Sequence, residues 1–366
     1  MFLIVTRNFP PEIGGIQVLM GGLSENLLNH GPVKVFAYEC PNSNLYDSKS
    51  AMNIERIKGI KLFRKYRKAH VVNDFINENN NIRAILTDHW KSLELLKKEY
   101  LDKFKAICLL HSKEINHEIG SSLNKRLIKS TNKANFIIAN SNFTKELAIK
   151  VGIDPSKIRV IFPGIHRPKI IENRYEREAE TIYKDSFPKI ITVARLEKRK
   201  GHDKILMSIK NLKNKFPNIK YISIGSGKEE NNLIQLSKEL SIEKEVIFLK
   251  NISENLKLAL IAASNLFLMP SRIDNKSVEG FGISYMEAAS YAVGSIGGRD
   301  GGASDAIAHN KTGLICDGND LNSIYEAVIN FFSNDRFNEF GKAAQKFSEN
   351  FHWNKVVKNY LKLINE

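Results

Sequence analysis

Two carboxylates eight positions apart, Glu279 and Glu287, bracket the run Glu279-Gly280-Phe281-Gly282-Ile283-Ser284-Tyr285-Met286-Glu287. Only Phe281 separates Gly280 from Gly282, which marks a turn. Ahead of it, Asn265 to Pro270 reads as a buried strand ending at a proline; behind it, Ile283 to Ala292 reads as a helix. Strand, glycine turn and helix together aim backbone N–H groups and a helix N-terminus at a phosphate. The glutamates add acceptors for hydroxyl groups on either side of that anion site. Phosphate plus hydroxyls is the recognition chemistry of a sugar nucleotide. A plain helix start carrying two solvated acids has the same pattern.

A second set of charges follows an earlier apolar run, Lys189 to Arg195. Arg195 and Lys200 lie in Arg195-Leu196-Glu197-Lys198-Arg199-Lys200-Gly201, a loop leading into a helix. A guanidinium fork and an ammonium so spaced can converge on one diphosphate. Lys198 and Arg199 could as easily point to water, and a wholly solvated basic face is the alternative. Ile224-Gly225-Ser226-Gly227-Lys228 ends the next apolar run and offers a further phosphate turn. An ordinary turn reads the same way.

These residues need a scaffold, and the chain alternates short apolar runs with longer amphipathic stretches, the pattern of parallel α/β domains. In the first half, strands are expected at 2–6, 33–38, 84–87, 105–110, 136–139 and 158–161, with helices at 15–28, 124–133 and 141–151. The segment Pro163 to Pro188 carries charge of both signs and few core residues, and reads as a linker. The alternation then restarts at Lys189, with strands near 220–224, 246–249, 266–269 and 293–296. Two successive doubly wound domains follow, with ligand where strand C-termini face each other. At 366 residues the chain has room for both cores.

Lys and Arg number 55 against 40 acids, a formal charge of +15. Such an excess suits a membrane surface, nucleic acid or phosphorylated substrates. Cys40, Cys108 and Cys316 are scattered without metal spacing, which fits a reducing cytoplasm. Residues 1–7 are apolar but too short for a signal peptide and read as a first buried strand. No run approaches transmembrane length, so membrane contact is expected to be peripheral.

The motifs, taken together, resemble those of the retaining GT-B glycosyltransferases of family four, which includes the bacterial phosphatidylinositol mannosyltransferases. The matching pieces stand in the family's order: Val193-Ala194-Arg195 with Lys200-Gly201, Ile224-Gly225-Ser226-Gly227, Met269-Pro270-Ser271, Glu279-Gly280-Phe281-Gly282 with Glu287-Ala288, then Gly301 to Ile307 and Thr312-Gly313-Leu314. Phe9 to Gln17, containing Gly14-Gly15, is similar to the family's glycine loop after the first strand. The likeness spans nearly the whole chain. It implies an acceptor domain over 1–165, a nucleotide-sugar domain over 166–346, and a helix over 347–366 crossing back onto the first.

The resemblance also implies roles. Arg195 and Lys200 would neutralise the donor diphosphate as it leaves. Glu279 would bind hydroxyls of the transferred hexose, beside the amides of Phe281 and Gly282. The amides of Ile283 and Ser284 would meet phosphate, Glu287 the ribose, and Gly225 the donor. Gly14 and Gly15 would admit backbone close to the phosphate from the opposite domain. No cofactor and no divalent metal are expected, since Arg, Lys and the helix dipole take the metal's place. His111, ending the run Ala106 to His111, stands where the family has an active-site histidine, and His117 is the rival assignment. Transfer would be front-face and retaining, the departing phosphate oxygen helping to take the acceptor proton. His89 and Trp90, after another strand, are candidates for acceptor contact, with a core position for Trp90 equally open.

For the acceptor, Lys58 to Lys68 packs Lys61, Arg64, Lys65, Arg67 and Lys68 around two aromatics, a composition suited to an anionic bilayer. A solvated helix face reads the same. The expectation is a UDP- or GDP-hexose donor and a lipid or lipid-linked acceptor reached from the cytoplasmic face of the membrane. A soluble, polysaccharide or lipopolysaccharide acceptor is the alternative. Nucleic-acid binding lacks a recognised motif, and a sugar-nucleotide epimerase would not be expected to show the Glu279/Glu287 spacing.

Overall fold

The structure, a computed structural model, describes all 366 residues. The chain forms two compact units: Met1–His166 together with Phe351–Glu366, and Arg167–Asn350. Each is a parallel sheet flanked by helices, the architecture read from the sequence.

The first unit contains β1 (Phe2–Val5), β2 (Val33–Tyr38), β3 (Asn53–Ile57), β4 (Ala84–Thr87), β5 (Lys105–Leu110), β6 (Phe136–Ala139) and β7 (Ile158–Val160). They lie in the order β3-β2-β1-β4-β5-β6-β7, and every pairing is parallel. The strands β1 and β4 are buried along their whole length, as a sheet covered on both faces requires. Strand β3 went unread because its sequence, Asn-Ile-Glu-Arg-Ile, is that of an edge strand. Glu55 on it pairs with Lys34 on β2 at 2.9 Å.

The C-terminal helix, Trp353–Asn365, belongs to this first unit and packs on the helix Gly15–Leu27. It starts at Trp353; Phe347 instead lies in the last turn of the preceding helix, Arg336–Ser348, of the second unit. Two main-chain bonds fix its entry: Ile165 N donates to Phe351 O at 2.8 Å, and Trp353 N to Ile165 O at 3.0 Å. The Trp353 indole fills the space beside Gly22 and Gly164, where an added Cβ would come within 2.3 Å of it.

The second unit holds β8 (Lys189–Val193), β9 (Lys220–Ile224), β10 (Val246–Leu249), β11 (Leu266–Met269), β12 (Ser295–Gly298) and β13 (Gly313–Cys316), in the order β10-β9-β8-β11-β12-β13. Strand order reverses between β8 and β11, and in open α/β sheets ligands bind at the C-terminal ends of such a pair. The expected linker 163–188 is not linker throughout. It contains the helix Asn173–Tyr183, whose charged sequence hides two anchors, the fully buried Ala179 and Tyr183. The Tyr183 hydroxyl donates to Leu260 O at 3.3 Å.

Candidate active site

The residues singled out in the second unit gather at the C-terminal ends of β8 and β11. After β11 the chain runs through Pro270 to Val278, pinched by a bridge between Asp274 and Ser277, and arrives at Glu279. After β8 it forms a 3-10 turn, Lys198–Lys200, closed by Gly201 in the left-handed region (φ 80°). An added Cβ on Gly201 would lie 2.4 Å from Pro270 O, so only glycine lets the two loops touch.

That turn corrects the reading of the basic cluster. Arg199, whose direction the sequence left open, is buried: its Nε donates to Glu197 at 2.8 Å and its Nη1 to Glu279 Oε2 at 3.0 Å. Lys200 is buried too, its Nζ on the same Glu279 oxygen and 3.6 Å from Met269 Sδ. Arg195 is the exposed one, paired with Glu197 at 2.9 Å. Tight winding turns Arg199 and Lys200 inward and leaves Lys198 outside. Burial alone would raise the Glu279 pKa, but the Lys200 and Arg199 charges overcome it and hold it at about 2. Burial lowers the Lys200 pKa, with Glu279 opposing. Both cations take Oε2, so Oε1 keeps lone pairs for a hydroxyl donor.

Beside Glu279, Gly282 (φ 91°) starts the helix Ile283–Ser290. No side chain caps this helix and no acid sits in its first turn, so its N-terminus is electropositive and its first N–H groups are available. Ile283 and Ser284 are half-buried at that end, and Phe281 is buried behind them. Gly302 N donates to Glu279 O at 2.9 Å, which fixes the carboxylate's backbone. Glu287, one turn along, accepts from Lys257 Nζ at 2.7 Å; Lys257 also holds Glu254 at 2.9 Å. Burial would lower the Lys257 pKa, yet these two carboxylates raise it. Sequence reading missed Lys257 because it comes from the distant helix Glu254–Ala262, where a lone lysine carries no signal.

Gly225 (φ 151°) has a structural reason of its own: a Cβ there would lie 2.1 Å from Ala194 O. In the first unit, Gly14 and Gly15 begin the helix Gly15–Leu27, which also lacks a side-chain cap. Gly15 faces open space.

His111 follows β5 and is half-buried, its Nε2 at 2.9 Å from Asp88 O, while its main-chain N–H donates to Glu114. His117 is also half-buried and packs edge-on against Trp90, ring centres 6.1 Å apart. The structure overturns three expectations here. Trp90 is fully buried and donates Nε1–H to Glu114 O at 2.9 Å, so it is core. His89 is 3% exposed and accepts from Lys91 N through Nδ1 at 2.9 Å, as the cap of the short helix Trp90–Leu93. Burial, then Arg7, drives its pKa well down, so its ring is neutral. Helix initiation directly after β4 turns both side chains inward, away from any acceptor.

The third concerns the basic stretch, which lies in the helix Lys61–Glu78. Lys68 faces the sheet: it is 3% exposed and its Nζ donates to Thr6 O at 2.9 Å and Ser92 Oγ at 3.0 Å. Helical periodicity puts it on the inner face. Arg64 is half-buried over the Tyr38 ring. Lys61, Lys65 and Arg67 remain exposed, interleaved with the exposed apolar side chains Ile60, Leu62, Phe63 and Tyr66. No group of three or more His, Cys, Asp or Glu side chains is placed to hold a metal ion. No helix is long and apolar enough to cross a membrane.

Two family models match. "Glycosyltransferase Family 4" covers residues 13–167 and "Glycosyl transferases group 1" covers residues 174–351. A GDP-mannose-dependent alpha-(1-6)-phosphatidylinositol monomannoside mannosyltransferase of Mycolicibacterium smegmatis is 25% identical over 362 residues, covering 96% of this chain and 93% of that protein. A D-inositol 3-phosphate glycosyltransferase of Corynebacterium urealyticum is 26% identical over 298 residues, 77% of this chain and 66% of that protein. Among solved structures, Anabaena Alr3699/HepE in complex with UDP superposes with a TM-score of 0.83 at 16% identity, over 100% of this chain and 99% of that one. With both units matched by glycosyltransferase models and both sheets of the expected topology, the chain belongs to glycosyltransferase family four, the nucleotide-sugar glycosyltransferases of GT-B fold.

Proposed function

We propose that the chain transfers a hexosyl group from a UDP- or GDP-hexose, with retention of configuration and without a divalent metal, to a hydroxyl of a lipid or lipid-linked acceptor at the cytoplasmic membrane face. One observation carries the donor half: a carboxylate, Glu279, held ionised by Arg199 and Lys200 beside an uncapped helix N-terminus. The uncapped N–H groups of Ile283 and Ser284 suit a phosphate. Glu279 Oε1 suits a hexose hydroxyl, and Glu287 suits the ribose diol. Arg195, exposed on the same loop, suits the outer face of the diphosphate, where charge grows as the bond breaks. Cations and helix dipole together supply the stabilisation that a metal gives elsewhere. The family resemblance supports retention, with His111 at the acceptor hydroxyl and the leaving phosphate oxygen taking its proton.

Two observations support a lipid acceptor. The Mycolicibacterium relative is named for a phosphatidylinositol monomannoside. The start of the helix Lys61–Glu78 exposes Lys61, Lys65 and Arg67 among Ile60, Leu62, Phe63 and Tyr66, a surface suited to the headgroup layer of an anionic bilayer. The test is a screen of UDP- and GDP-hexoses in EDTA, with acceptor offered as phosphatidylinositol vesicles or as soluble glycans. Transfer to vesicle lipid in EDTA is expected; transfer confined to soluble glycans would redirect the acceptor reading.

A further inference from the structure

Arg7, Arg64, Lys68 and Lys91, cations of the first unit, form no ion pair and have no part in the donor site. They come from three elements. Arg7 follows β1, Arg64 and Lys68 lie one turn apart on the helix Lys61–Glu78, and Lys91 follows β4. Strand order in this sheet reverses between β1 and β4, so these residues stand at the topological switch point where such sheets bind ligands. Tyr38, the last residue of β2, ties two of them together, with Arg64 Cζ 5.2 Å and Lys68 Nζ 4.8 Å from its ring centre. Arg7 lies within electrostatic reach of Tyr38, Lys68 and Lys91.

The group is short of negative charge. Asp88 stands among them, its carboxylate accepting from Arg7 N at 3.0 Å and from Ser92 Oγ at 2.7 Å, and it offsets one of the four positive charges. Arg7 and Arg64 each bury a guanidinium Nε with no hydrogen-bond partner. Burial costs Lys68 its affinity for a proton, bringing its pKa down to about 8. Four cations gathered and partly desolvated around one carboxylate keep an excess of positive charge, which is unfavourable unless an anion completes them.

We propose that this cluster is an anion subsite for a phosphate ester carried by the acceptor, which rests on the glycosyl-transfer function above and narrows its acceptor to a phosphorylated one. The guanidinium groups of Arg7 and Arg64 and the ammonium of Lys91 grip the phosphate oxygens; Lys68, behind Tyr38, adds charge from within. His111 stands at the end of β5, next to β4, with Nε2 against Asp88 O. The subsite therefore anchors the phosphate beside the histidine assigned to the reacting hydroxyl. A phosphodiester in a lipid headgroup and a soluble phosphomonoester share the chemistry it recognises.

The experiment is equilibrium binding to the full chain, with D-inositol 3-phosphate, neutral myo-inositol and phosphatidylinositol vesicles as probes. Wild type, Arg7→Met, Lys91→Met and the donor-site variant Lys200→Met are compared, and retained UDP or GDP affinity in the first two variants reports that they are folded. Each lost charge-assisted bond should weaken the phosphate-bearing probe about tenfold or more. Neutral myo-inositol should bind far more weakly than the ester. Loss on the soluble ester identifies a free phosphomonoester as sufficient; loss seen only with vesicles identifies the lipid headgroup. Equal binding of ester and neutral polyol, no binding of any probe, or binding lost in Lys200→Met but kept in Arg7→Met and Lys91→Met would overturn the subsite. Because the readout is acceptor-side binding, it can succeed or fail whatever the donor screen returns.

Discussion

Arg199 and Glu279, eighty residues apart in sequence, meet through a 3.0 Å ion pair that joins the loop after β8 to the loop after β11. With Lys200 on the same oxygen, the pair fixes the Glu279 carboxylate across the switch point of the second sheet. Glu279→Gln keeps the shape but removes the charge that Arg199 and Lys200 face. Leaving buried cations unpaired costs about 3–5 kcal/mol, so the melting temperature should drop. Arg199→Met retains Lys200 as a partner and should cost less. A thermal melt in which Arg199→Met is the more damaging would mean that Lys200 does not neutralise Glu279.

Lys257 should act on nucleotide binding through Glu287. In Lys257→Met the carboxylate loses its 2.7 Å partner, and nucleoside diphosphate affinity should fall about tenfold, in line with one charge-assisted bond. The preference for UDP over 2′-deoxy-UDP, or GDP over its deoxy form, should shrink, and Lys257→Arg should restore it. An unchanged ribose preference in Lys257→Met would detach Glu287 from the ribose.

Trp90 should matter for folding and not for acceptor recognition. Trp90→Phe removes the bond to Glu114 O, worth about 1 kcal/mol. Trp90→Ala should cost about 3–5 kcal/mol as a core truncation. Chemical denaturation reads both, and the acceptor KM of Trp90→Phe should match wild type.

Acid should destabilise the protein through His202. This side chain is buried, its Nδ1 at 3.0 Å from the Tyr221 hydroxyl, and burial lowers its pKa to about 4. The unfolded chain, with a histidine pKa near 6.5, binds the proton first, so stability is full above about pH 6.5 and is lost as pH falls toward 4. The loss is about 3 kcal/mol. Urea midpoints at pH 7 and pH 4.5 should separate less in His202→Gln than in wild type. Glu279, with its pKa held at about 2, adds its own loss of stability only as pH nears the unfolded carboxylate range of about 4.3, and equally in both proteins, so the difference between them reports His202.

Many strand positions were legible where apolar runs end at glycine, proline or charge: β2, β4, β5, β6, β8, β9, β10 and β11 fall where the alternation put them, whereas β12 lies two residues beyond 293–296 and the four-residue β13 went unread. β3 and the helix Asn173–Tyr183 were not, because each buries few residues behind a polar sequence. The glycine turn with Glu279 and Glu287 was legible because it is local. Side-chain direction was not. Lys68 and Trp90 look like surface and ligand residues in a string, and only the helix phase after β4 and along Lys61–Glu78 turns them inward. Arg199 and Lys257 escaped for a related reason, since their partners are brought from distant loops by the sheet.

The central claim is that Glu279, Lys200 and Glu287 form a metal-free nucleotide-sugar site, and calorimetric titration of UDP and GDP in EDTA tests it most directly. Wild type should bind one of the two without added metal. Lys200→Met should weaken that binding tenfold or more, Glu287→Ala should weaken it through the ribose, and Glu279→Gln should leave the free diphosphate nearly unaffected while depressing transfer. Neither nucleotide binding in EDTA, or equal losses of diphosphate affinity in the Glu279 and Glu287 variants, would contradict it.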